Sequence, residues 1–122
     1  MAKRKLSDSH MQSWWRRAVL SVWGERCARC GYPGVQCHHV IKRRHALLRN
    51  DWRNGIPLCP ICHMWAETLQ GRTWVYMQVD THYLMQREAM NIKDYLQEHG
   101  ITRREFDERT LAELKRVVEN GL

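Results

Sequence analysis

Apolar residues recur at helical spacing near both ends of the chain and lose that step in the middle. Met11, Trp15, Ala18 and Val22 fall at i, i+4, i+7 and i+11, one face of a helix. Ser9-x-x-Gln12 has the form of a capping box, and Gly24 stands where a helix would stop. The spacing predicts a helix over 10–23. Toward the other end, Met85, Ala89, Ile92 and Leu96 mark one face of a predicted helix over 81–98, closed by Gly100. Thr102 to Glu105 is a second capping box, with Ile101 and Phe106 placed as a hydrophobic staple. Leu111, Leu114 and Val118 continue that stripe and predict a last helix over 103–119.

Between these helices the pattern shortens. Val35 to Ile41 is β-prone and predicts the first strand of a hairpin. Lys42 to Asn54 is long and basic, a connecting loop, and Gly55-Ile56-Pro57-Leu58 is a short return strand in which Pro57 suits an edge. Pro60 is placed to open a helix, His63 to Leu69 would form it, and Gly71 would end it. Residues 72–80 are β-prone without a clear alternation. Three stretches follow: 1–24 as tail and helix, 25–70 as core, and 71–122 as a helical extension of one domain.

Cysteine spacing changes the picture most. Cys27-x-x-Cys30 and Cys59-x-x-Cys62 flank the predicted hairpin, and a fifth cysteine, Cys37, is left over. An odd count in two tight pairs argues against a disulfide framework and for a metal site. Structural Zn²⁺ takes four ligands in a tetrahedron, and two such pairs supply four thiolates. Cys37 is expected to be a small buried hydrophobe; replacement of one knuckle thiol by Cys37 or His38 is the less symmetric option.

A second set of chemistry-bearing residues lies inside the first: His38, His39, Asn54 and His63, in the order strand, loop, helix. Together, Cys27-x-x-Cys30, Cys37-His38-His39-Val40-Ile41, Asn54-Gly55-Ile56-Pro57-Leu58-Cys59 and Cys62-His63 resemble the HNH endonucleases, the ββα-metal nucleases, in the subgroup with zinc knuckles. The likeness covers about residues 25–70 and is nearest to small phage and prophage proteins. It implies an α+β fold, with a β-hairpin packed on a helix around one divalent ion. It further implies that His38 and His63 are metal ligands, that His39 is the general base, and that Asn54 orients His39 or ties the loop down. Glu67 stands where the family has a second helical histidine, four residues after His63 on the same helix face. It either completes the coordination or pairs with an arginine. Mg²⁺, Mn²⁺, Ni²⁺ and Zn²⁺ all suit such a site. An ideal strand points His38 and His39 to opposite faces, so serving one site demands a twist or an ion at the strand's edge. His10, His45, His82 and His99 are expected to be ordinary surface or core imidazoles.

Charge completes the expectation. Among 122 residues, Lys+Arg number 20 and Asp+Glu 13, a net charge of +7 that favours a polyanionic partner. Lys42, Arg43, Arg44, Arg49 and Arg53, with His45, lie in the loop between the halves of the site and are the expected DNA-binding set. Residues 1–8, with Lys3, Arg4 and Lys5, are basic and polar and are expected to form a frayed tail rather than to hold phosphates. Six tryptophans serve as core, stacking platforms or both, with packing expected for Trp52 and Trp65. Met1-Ala-Lys-Arg-Lys is basic with no apolar h-region after it, and no apolar run is long enough to span a bilayer, so a reducing, cytoplasmic setting is expected. The expected activity is metal-dependent cleavage of DNA, with phage genome packaging or recombination, and a packaging partner, suggested by the family likeness alone. The alternative is a non-catalytic zinc ribbon that binds nucleic acid. The C-terminal helices are silent and also admit a partner-binding adaptor.

Overall fold

The computed structural model describes residues 5–121; Lys3 and Arg4 lie outside them. Helix α1 (Asp8–Trp23) leads to a hairpin of β1 (Gln36–His39) and β2 (Gly55–Leu58), followed by α2 (Pro60–Ala66), α3 (Leu69–Gln78), α4 (Thr81–Glu88), α5 (Ile92–His99) and α6 (Arg103–Asn120). This is an α+β architecture with a small ββα unit at its centre. None of the described helices is long and apolar enough to cross a membrane.

The strands pair antiparallel, with Gln36 opposite Leu58, Cys37 opposite Pro57, His38 opposite Ile56 and His39 opposite Gly55. In a two-stranded sheet each strand is an edge, so the missing N–H of Pro57 is tolerated. All four residues of β2 are buried. One side of the hairpin meets α1, which lays Trp15, Ala18 and Val19 against Leu114 and Val117 of α6. On the other side, Ile56 and Leu58 pack with Cys27, Cys59, Cys62, Ala66 and Val75. A third cluster joins Ile41 and Leu48 of the loop to Leu84 of α4.

Several elements differ from the sequence expectation. Helix α1 begins at Asp8, and no Ser9–Gln12 capping box forms. Instead Gln12 is buried, its Nε2 donating to Arg49 O at 3.0 Å and Asn50 Oδ1 at 2.6 Å, which pins the loop to the helix. Residues 72–80 are not extended: they lie mostly in α3, whose start is capped by the Thr68 hydroxyl accepting from Gly71 N–H. Gly71 is therefore inside a helix rather than ending one. A Cβ there would overlap the Trp65 carbonyl and lie 2.6 Å from Ala66 Cα, so glycine lets α3 turn tightly against the end of α2. The predicted helix over 81–98 is two helices, because the Asn91 side chain accepts from Lys93 N–H at 2.7 Å and starts α5 afresh. With that break the inward position is Leu84, fully buried, while Met85 is exposed. Gly24, Gly100 and the Thr102–Glu105 capping box appear where expected.

Gly55 marks the closest approach of hairpin and helix. A Cβ there would overlap Val19 Cγ2 and lie 2.7 Å from Trp15 Cζ2. Gly55→Ala is expected to lower the unfolding free energy by about 1–3 kcal/mol, the usual cost of forcing a methyl into a filled core. Urea unfolding followed by circular dichroism measures it. Gly34→Ala, whose Cβ meets only the exposed Tyr32 side chain, serves as the control.

Candidate active site

The two Cys-x-x-Cys turns bring Cys27, Cys30, Cys59 and Cys62 together, with all four sulfurs within 4.8 Å of one another. Each turn folds an N–H onto its first sulfur: Cys30 N–H to Cys27 Sγ at 3.5 Å and Cys62 N–H to Cys59 Sγ at 3.4 Å. Metal–sulfur bonds of about 2.3 Å in a tetrahedron place sulfurs roughly 3.8 Å apart, and Cys30 and Cys59 stand at 3.6 Å. The donor set therefore fits a tetrahedral ion. Crowding splits the thiols: burial and the neighbouring sulfurs push Cys62 up to about 12. Burial works to raise Cys27 too, but the backbone N–H groups around it hold it down at about 6. Arg29 covers the cluster, donating to Cys62 Sγ at 3.6 Å while its guanidinium lies 3.7 Å over the Trp65 ring. Cys37 stands apart, half-buried against the α1–α6 cluster, its thiol raised to about 11 by burial.

His38, His63 and Glu67 form a second cluster whose ligand atoms also lie within 4.8 Å of one another. His38 Nδ1 is 3.3 Å from His63 Nε2 and 4.0 Å from Glu67 Oε1. Metal–nitrogen bonds of about 2.0–2.1 Å put two imidazole nitrogens roughly 3–3.4 Å apart, so the pair suits one ion with room for further ligands. His38 is held below the ordinary histidine range by burial and by neighbouring His63, against the pull of Glu67.

His39 points the other way, as strand alternation requires. Its ring stacks flat on Trp15, 3.9 Å between centroids at 6°. Its Nε2–H donates to Arg49 O at 3.1 Å. A carbonyl can only accept, so the neutral ring keeps its lone pair on Nδ1. Burial lowers its pKa to about 4, with the cationic neighbours Arg43 and Arg49 adding to the fall. His38 and His39 nonetheless both border one open cleft of about 380 Å³.

Among the described residues Asn54 makes no hydrogen bond to His39. Fully buried, it accepts from Ile41 N–H at 2.6 Å and donates to the carbonyls of Ile41 and Leu48, each at 3.1 Å. It closes the loop at its base. Of the two roles implied by the family likeness, its contacts are those of the tie.

The basic loop residues separate into two kinds. Lys42, Arg43 and Arg44 are exposed, and the first two border the cleft. Arg49 pairs with Asp8 at 3.3 Å. Arg53 pairs with Asp51 and Glu113 and stacks over Trp52. The cleft also gains Arg72 and Tyr76 from α3 and Glu88 from α4, which the sequence reading did not single out. Arg72 donates twice to the Glu67 carbonyl, at 3.0 and 3.2 Å. The one local signal for these residues was Thr68, a good N-cap that announces α3.

Residues 27–65 match the family model described as HNH endonuclease. No curated protein and no solved structure matches the chain.

Asn54→Ala removes three buried hydrogen bonds at about 1 kcal/mol each, so a loss of roughly 3 kcal/mol in unfolding free energy is expected. Denaturant melts measure it, and amide exchange of Ile41 should rise with it.

Proposed function

With residues 27–65 carrying an HNH endonuclease domain, we propose that the chain is a metal-dependent endonuclease that hydrolyses DNA phosphodiester bonds. The observation that carries this is the convergence of His38, His63, Glu67 and His39 on one cleft beside exposed cationic side chains. The four cysteines would hold a structural Zn²⁺, and His38, His63 and Glu67 would hold a second divalent ion. That ion would supply Lewis-acid relief of charge on the scissile phosphate and on the departing 3′ oxygen.

The chain's own residues do the rest. His39 takes the proton of the attacking water at Nδ1. Its ring is fixed in place by Trp15 and by Arg49 O, so no reorientation precedes the transfer. A pKa near 4 makes a weak base, but a bound phosphodiester brings negative charge beside the ring and raises its basicity. The imidazolium that forms keeps its Nε2–H bond to Arg49 O. Lys42, Arg43 and Arg72 border the cleft and would hold phosphate oxygens. Asn54 acts at a distance, by fixing the loop that carries Arg49 O. The likeness to small phage proteins extends the proposal to phage DNA packaging or recombination.

Purified protein is expected to nick supercoiled plasmid with Mg²⁺ or Mn²⁺ and not with EDTA. His39→Ala should lower the rate by about 10²–10⁴-fold, the usual worth of a general base, with metal content and circular dichroism unchanged. Wild-type protein that binds DNA but never nicks would leave the zinc-ribbon binding module. Cys59→Ser should act differently, lowering zinc content and melting temperature together, because metal binding and folding are coupled.

A further inference from the structure

A second cavity lies beyond the far end of the basic loop. It measures about 180 Å³, and α4, α5 and α6 enclose it together with the loop's last residues. Its walls carry four aromatic rings, from Trp52, Tyr83, Tyr95 and Phe106. Arg87 reaches over two of them, 5.2 Å from the Tyr83 centroid and 5.1 Å from that of Tyr95. Among the described residues neither Arg87 nor Arg109 has a carboxylate within 4.0 Å, whereas Arg53 on the same wall is paired with Asp51 and Glu113. Nothing in the hydrolytic machinery uses this place.

We propose that this cavity accepts one unpaired nucleobase of the bound DNA strand, making gapped, bulged or branched DNA the favoured substrate. The inference rests on the endonuclease reading. Three observations carry it. Aromatic rings interleaved with guanidinium groups are the surface on which single-stranded bases stack, whatever their identity. The volume is below the ~300–1,000 Å³ of drug-sized pockets, so a single planar heterocycle enters while its sugar and phosphate stay at the mouth, where Arg109 is exposed. Finally, one loop serves both places: Lys42 and Arg43 border the hydrolytic cleft, and Leu47 and Asn50–Arg53 form a wall of the cavity. A strand tracking that loop from its start to its end would meet the cavity. A paired base remains in its stack and cannot enter; an unpaired one pays little to leave it.

The test uses this chain, residues 1–122, carrying His39→Ala, so that bound DNA is not cut. Fluorescence anisotropy compares a labelled, fully paired duplex with the same duplex carrying an unpaired bulge. Bulged DNA is expected to bind on the order of tenfold more tightly, the scale of one base stacked on an aromatic ring. Adding Arg87→Gln or, separately, Tyr95→Leu should bring the affinity ratio close to one, with melting temperatures reported for each variant. Equal affinity of the first protein for both duplexes overturns the proposal, as does a ratio that survives both substitutions in folded protein. Plasmid nicking by wild-type protein is read separately. Nicking without bulge preference removes the pocket and leaves the nuclease. Bulge preference that is lost in the two variants, without nicking, supports the pocket and removes the nuclease.

Discussion

A two-stranded hairpin does not hold its shape alone in water, and this molecule is built around meeting that constraint. The strands are four residues each, too short to bury a face against each other. They are instead clasped from both sides. The cysteine turns and α2 close over Ile56 and Leu58, and α1 presses so near Gly55 that no side chain fits there. Helix α6 then backs α1, so the last helix of the chain supports the hairpin at one remove. Burying large apolar side chains such as Trp15, Ile56, Leu58 and Leu114 contributes about 1.5–3 kcal/mol each, enough to make the clasp decisive in a small domain.

Clasping from two sides also resolves the geometry of the site. Adjacent residues on a strand face opposite ways, and here each histidine has its own support: His63 on α2 for His38, and Trp15 on α1 for His39. Both residues border one cleft, together with Val40 to Arg43, which follow the strand. The loop is held as firmly as the strands. Gln12 and Trp15 of α1 donate to its carbonyls and Asn54 closes its base. A backbone carbonyl fixed in this way sets the tautomer of His39 more reliably than an exposed side chain would.

Cation placement follows the same division. Where acidic partners stand nearby, as Asp8 does for Arg49 and Asp51 and Glu113 do for Arg53, guanidinium groups brace the structure. These pairs are half-buried and still reached by solvent, so each contributes little alone. Among the described residues Lys42, Arg43 and Arg44 make no ion pair and remain exposed, the first two bordering the cleft, where a polyanion can neutralise them.

The sequence by itself determined what depends on short spans of chain. Two Cys-x-x-Cys turns, β2, the Thr102 capping box and the i, i+4 relation of His63 to Glu67 are all set within a few residues, and all could be read from spacing. The tertiary structure alone decided what depends on distant partners. Residues 72–80 have strand propensity, yet α3 forms because Val75 and Trp74 find apolar partners around the cysteine cluster. Leu84 rather than Met85 turns inward because Ile41 and Leu48 wait there. Trp15 looked like one more position of a helical stripe, and only folding laid it under His39. Ligand spacing is written in covalent geometry, whereas burial and charge pairing arise between segments whose meeting no local pattern encodes.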